Sequence, residues 1–163
     1  MQAPVRQPEG NQFINGGQVV NANQKYRILL VDDEPNTLDS MAMVLRSDGY
    51  QVSTAIHGFD ALDQIELAMP DLVISDLNMP QMSGFELLPI VRERYPMIPL
   101  IAISGIYDCA DRAPEGVVAE AFYAKGHHRP ERLLRTIAEL LQTWPAPQPS
   151  FPPFPALLNI VQD

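Results

Sequence analysis

Five side chains could do chemistry together: the carboxylates of Asp32, Asp33 and Asp76, the hydroxyl of Ser104 and the ammonium of Lys125. They follow on short apolar runs, Arg27–Val31, Leu72–Ser75, Leu100–Ile103 and Ala121–Ala124. Two like charges about 4 Å apart repel by on the order of 4 kcal/mol at an effective dielectric near 20. Three carboxylates and one lysine in a common crevice therefore need a further cation. A hard divalent ion held through oxygen suits them, and Mg2+ is the usual choice where phosphate is handled. A carboxylate beside such an ion can attack a phosphoryl donor and form an acyl phosphate. The ammonium and the hydroxyl would then meet the charge on the phosphoryl oxygens. Asp76, on the central run, is the expected nucleophile.

These residues meet only if the runs are parallel strands ending at one edge. The intervening sequence predicts that arrangement. Asn36 is placed to cap a helix whose Leu38, Met41, Ala42 and Leu45 recur at helical spacing, and Gly49 to end it. Tyr50–Ala55 reads as a second strand. Phe59, Leu62, Ile65 and Met69 mark a second helix, stopped before Pro70. Ser83 and Glu86 form a capping box that opens a third helix, which carries Pro89. Pro130 opens the last helix, with Leu133, Leu134, Ile137, Leu140, Leu141 and Trp144 on one face. Strands alternating with helices imply an α/β fold with parallel pairing. Continuous apolar strands imply helices on both faces of the sheet. Ligand chemistry in such a sheet lies outside the C-terminal strand ends, where the five side chains fall.

One helix is expected to be poor. Pro114 and Gly116 lie between the fourth and fifth strands. An interior proline removes a hydrogen bond and costs about 3 kcal/mol, so a helix there is expected to be short, broken or displaced.

Outside the alternating core, residues 1–24 are rich in Gln, Asn and Gly and read as a disordered leader. Residues 25–144 form the domain. Residues 145–163 read as a Pro-rich tail suited to polyproline II. The chain has 163 residues, 46% of them hydrophobic, and a net charge of −9, which repels phosphate backbones and disfavours direct nucleic-acid binding. A single cysteine, Cys109, fits a reducing compartment, and no apolar run approaches a membrane span, so a cytoplasmic protein is expected. His127 and His128 are adjacent rather than one helical turn apart, which argues against a metal site between them.

Taken singly, each reactive residue has an ordinary role: Asp32 and Asp33 as helix caps, Asp76 in a turn, Ser104 in a loop, Lys125 as a solvated charge. Together they occupy every relevant strand end. Val31-Asp32-Asp33-Glu34-Pro35 resembles the acidic signature of response-regulator receivers. Asp76-Leu77-Asn78-Met79-Pro80 with Gly84 resembles their phosphoacceptor loop, and Ile103-Ser104-Gly105 their hydroxyl-bearing strand end. Phe122, three residues before Lys125, occupies their aromatic switch position.

The resemblance covers residues 25–144 and implies a flavodoxin-like (βα)5 doubly wound sheet in the order 2-1-3-4-5. It implies phosphorylation of Asp76 by a histidine kinase or phosphotransfer protein. Mg2+ would be held by Asp33, Asp76 and the Asn78 carbonyl, with Asp32 acting through a metal-bound water. Ser104 and Lys125 would contact the phosphoryl group, and Phe122 would move inward. Gly126 stands where the family usually has proline, so that loop is expected to be looser. Ile106, two residues after Ser104, would shield the path of the hydrolytic water.

The expected role is a stand-alone signalling receiver acting through protein contact, not a turnover enzyme. The alternative is a pseudo-receiver that binds partners without phosphorylation. A haloacid-dehalogenase-type phosphohydrolase would need an acid where Asn78 stands.

Overall fold

Two sheets form in the computed structural model, which describes residues 12–15, 18–21, 26–106, 112–126 and 129–144. The smaller is an antiparallel pair, β1 (Gln12–Asn15) and β2 (Gln18–Asn21). It falls inside the segment expected to be a disordered leader. The overlooked signal is local: Phe13-Ile14 and Val19-Val20 flank Gly16-Gly17, and a Gly-Gly pair between β-prone runs favours a two-residue hairpin.

The larger sheet carries the candidate site residues. Its strands are β3 (Arg27–Val31), β4 (Gln51–Ala55), β5 (Leu72–Asp76), β6 (Leu100–Ser104) and β7 (Ala121–Ala124). All pair in parallel in the order β4-β3-β5-β6-β7. Counted within this sheet alone, the order is the expected 2-1-3-4-5. Every residue of β5 and β6 is buried. Their side chains alternate between two cores: Val73, Leu100 and Ala102 join one, Leu72, Ile74, Ile101 and Ile103 the other. A strand apolar on both faces needs a helical layer on each side.

Those layers are α2 (Gly58–Leu67) with α3 (Gly84–Arg94) on one face, and α1 (Pro35–Ser47) with α4 (Pro130–Thr143) on the other. Helix α1 begins one residue before the expected cap. Glu34, not Asn36, is its N-cap, because Pro35 at the first helical position already has helical φ. Helix α2 turns differently than expected: Gly58, Ala61 and Ile65 are buried, while Phe59 and Met69 are exposed. Its N-cap is His57, whose Nδ1 accepts from the Asp60 backbone N–H. Helix α3 runs unbroken through Pro89, and the Glu86 carboxylate accepts from both the backbone N–H and the hydroxyl of Ser83. Trp144 caps α4 rather than sharing its buried stripe, and its ring lies 5.5 Å from the Arg92 guanidinium.

Between β6 and β7 no helix occurs among the described residues 112–120. Pro114 and Gly116, the latter at φ +84°, account for this. Val117 and Ala119 instead pack, outside any helix or strand, against the α2–α3 core. The five-helix expectation therefore becomes four helices among the described residues. Cys109, His127, His128 and the Pro-rich tail lie outside them.

Candidate functional site at the sheet edge

The parallel sheet brings the ends of β3, β5, β6 and β7 to one edge. Backbone hydrogen bonds carry the ladder into the loops beyond. Asp32 N donates to Ala55 O at 3.1 Å, Leu77 N to Ile103 O at 2.9 Å, and Lys125 N to Ser104 O at 2.8 Å. The reactive side chains are thus rooted in main chain of sheet-like rigidity.

Asp32, Asp33 and Asp76 converge, each offering an oxygen within 4.8 Å of the others. Their surroundings differ. Asp32 is fully buried, and both its oxygens are engaged: one accepts from the Glu34 backbone N–H at 2.9 Å, the other from Lys125 Nζ at 2.5 Å. Asp33 is exposed. Asp76 is buried, with one oxygen 3.5 Å from Lys125 Nζ. Its other oxygen, Oδ1, is buried and has no hydrogen-bond partner. Burial pushes the Asp76 carboxyl up to about 6. The Asp32 charge adds to that rise, while Lys125 and the Asn78 backbone N–H oppose it. One ammonium does not balance three carboxylates, as the sequence suggested.

The hydroxyl lies beside this group. Ser104 is fully buried and accepts from Asn78 Nδ2 at 2.9 Å. Gly84 closes the loop after β5, where its N–H donates to Leu77 O at 3.1 Å. A Cβ at Gly84 would lie 2.2 Å from the Asp76 carbonyl oxygen, so only glycine fits. Gly126 has φ +80°, a left-handed conformation that glycine adopts at no cost. Ile106 is 72% exposed at the rim. Phe122 is half-buried and packs against the α2–α3 core near Val117 and Ala119.

All the side chains singled out from the sequence therefore meet at this edge, except that Phe122 sits to one side. Sequence reasoning used Asn78 for its carbonyl, as a neighbour of the hydrolytic-water path and as evidence against a hydrolase, and missed its side-chain bond to Ser104. Spacing could not reveal it, since the two residues are 26 apart in the chain.

Comparison with known proteins agrees with this geometry. Residues 28–125 match the response regulator receiver domain. Over 110 residues the chain is 30% identical to the cell cycle response regulator CtrA of Brucella ovis, covering 67% of this chain and 47% of CtrA. It thus spans about half the length of that relative. The crystal structure of a CheY-like receiver domain protein from Methanospirillum hungatei superposes with a TM-score of 0.64 at 32% identity, covering 72% of this chain and 94% of that one. The response regulator TrrA of Thermotoga maritima, solved with Mg2+ and BeF, superposes with a TM-score of 0.62 at 30% identity, covering 71% and 98%. With the fold, the strand-end chemistry and the residues matched all in agreement, this chain belongs to the response regulator receiver domain family of two-component systems.

Proposed function

We propose that Asp76 is the phosphoacceptor of this receiver, charged by a histidine kinase or phosphotransfer protein, and that the phosphorylated domain signals through contact with another protein. The observation that carries this is the state of its carboxylate. One oxygen is buried without a partner, and the other faces the lysine ammonium.

The residues fit Mg2+. The donors are all oxygen, as a hard cation requires, and the orphaned Asp76 Oδ1 is a vacant acceptor beside them. Asp33 and Asp76 would hold the ion with the Asn78 carbonyl. Asp32, whose two oxygens each already accept one hydrogen bond, from Lys125 and from the Glu34 N–H, would act through water. The similar receiver TrrA was solved with Mg2+ and a beryllium fluoride, which supports Mg2+ as the ion. Bound there, the ion supplies the positive charge that lets three carboxylates and a phosphoryl group coexist.

The chain's own residues do the rest. An Asp76 oxygen forms the new P–O bond as the donor's P–N bond breaks, and the departing imidazole keeps the electron pair and takes a proton from solvent. Lys125 and Ser104 meet the phosphoryl oxygens. Phe122, already against the core, moves inward. Incubation with Mg2+ and acetyl phosphate tests the reading. An acid-stable, base-labile adduct of one phosphoryl group on Asp76 is expected, absent in Asp76→Ala. No adduct would favour a partner-binding role without phosphorylation, and continuous turnover of phosphoesters would favour a hydrolase.

Ile106, two residues after Ser104 and exposed, would flank the path of the hydrolytic water and slow its attack on the phosphoryl group. Ile106→Glu is expected to speed loss of the adduct severalfold, read by phosphate release after removal of the donor. An unchanged rate would show that the side chain does not shield the site.

A further inference from the structure

The Ser104 hydroxyl oxygen receives two hydrogen bonds. One comes from Asn78 Nδ2 at 2.9 Å, the other from the Ile106 backbone N–H at 3.2 Å. A serine hydroxyl has one proton to donate and two lone pairs to accept with. Both lone pairs are therefore filled, and the proton is the only capacity left. We propose that the Asn78 side-chain amide is a positioning residue that holds Ser104 as a donor, so that its single proton serves the phosphoryl group on Asp76. The proposal rests on the phosphoacceptor reading of Asp76.

The chemistry of an amide suits this task. It offers N–H donors and carries no charge, so it fills a lone pair without competing for the hydroxyl proton. A carboxylate at the same place would do the opposite. Able only to accept, it would draw the Ser104 proton to itself and add a fourth negative charge to a site that already holds three carboxylates. The bond also ties a side chain of the loop after β5 to the last residue of β6. Residue 78 thus stands two positions after Asp76 in the chain while its side chain bonds to the hydroxyl. A donor fixed before the reaction needs no reorganisation as charge develops on the phosphoryl oxygens. With Asn78 removed, the hydroxyl rotor is freed, and part of its population turns the proton elsewhere.

A double-mutant cycle on the full chain tests this. The rate of adduct formation with Mg2+ and acetyl phosphate is measured for Asn78→Ala, Ser104→Ala and the double variant, with retention of the fold checked by amide NMR spectra. Each single change is expected to slow the reaction about tenfold, the effect of losing one hydrogen bond. The double variant should be no slower than Ser104→Ala, because Asn78 acts through that hydroxyl. Asn78→Asp should be slower than Asn78→Ala. Effects that multiply in the double variant would overturn the proposal while leaving the phosphoacceptor reading intact. Absence of any adduct on the unsubstituted chain would overturn both. A second readout needs no phosphorylation: the Asn78 side-chain amide protons should exchange slowly with solvent and lose that protection in Ser104→Ala. Exchange that is fast from the outset, or that Ser104→Ala leaves unaltered, would sink the latch.

Discussion

Asp76→Asn is expected to make the protein more stable at neutral pH while abolishing its phosphorylation. The carboxyl is raised from 3.8 to about 6 in the fold, chiefly by burial. A group that holds its proton more tightly when folded disfavours the folded state as pH rises through that interval. The penalty is absent below 3.8, grows as pH climbs, and is complete above about 6. Discounted for solvent at the open edge of the site, it amounts to about 2 kcal/mol. Asparagine keeps the shape and removes the charge.

In EDTA at pH 7.5 the variant should therefore unfold at higher urea or temperature than the parent, and near pH 3.5 the two should converge. Added Mg2+ should raise the stability of the parent more than that of the variant, because it neutralises the charge that asparagine has already removed. A variant no more stable than the parent at pH 7.5 would show that the carboxylate is not under electrostatic stress. The pairing of gained stability with lost chemistry is characteristic of a reactive group held against its own preference.

Gly84→Ala is expected to destabilise the fold by about 3 kcal/mol or more. The added Cβ would meet backbone rather than a flexible side chain: the Asp76 carbonyl oxygen at 2.2 Å and Leu77 Cα at 2.8 Å. Relief requires helix α3 to move away from the end of β5. The peptide it presses on carries Asp76, so adduct formation should fall even in the fraction that remains folded. Gly105→Ala is the control. Its Cβ would find only the Lys125 side chain at 3.9 Å, ordinary contact, and stability should change by less than about 0.5 kcal/mol. Urea titration of both variants, with phosphorylation measured below the transition, checks the pair. Equal stability of the two would refute the close-packed loop.

Much of this arrangement was legible before any coordinates. Hydrophobic runs of strand length alternating with helical periods imply a doubly wound sheet, and a parallel sheet must deliver all its C-terminal strand ends to one edge. Asp32, Asp33, Asp76, Ser104 and Lys125 were identifiable because each stands at or just past a strand end, so backbone direction alone brings them together. The weak segment before β7 was equally readable, since proline and glycine act through local backbone physics at Pro114 and Gly116. Local signals were also misjudged. Pro35 outranked Asn36 in starting α1, Ala61 rather than Phe59 faces the core from α2, and the pairing of β1 with β2 went unread.

By itself, then, the sequence determined the chain's membership in an α/β class, the edge where chemistry sits, and the imbalance of three carboxylates against one lysine. Only the tertiary structure decided how those charges are shared. Asp32 keeps Lys125 at 2.5 Å, Asp76 is left with an unpartnered oxygen, and Asn78 reaches 26 residues along the chain to occupy Ser104. The reason is physical. Strand and helix periods are properties of neighbouring residues, but the pairing of polar atoms is settled over a few ångströms between loops that are distant in sequence.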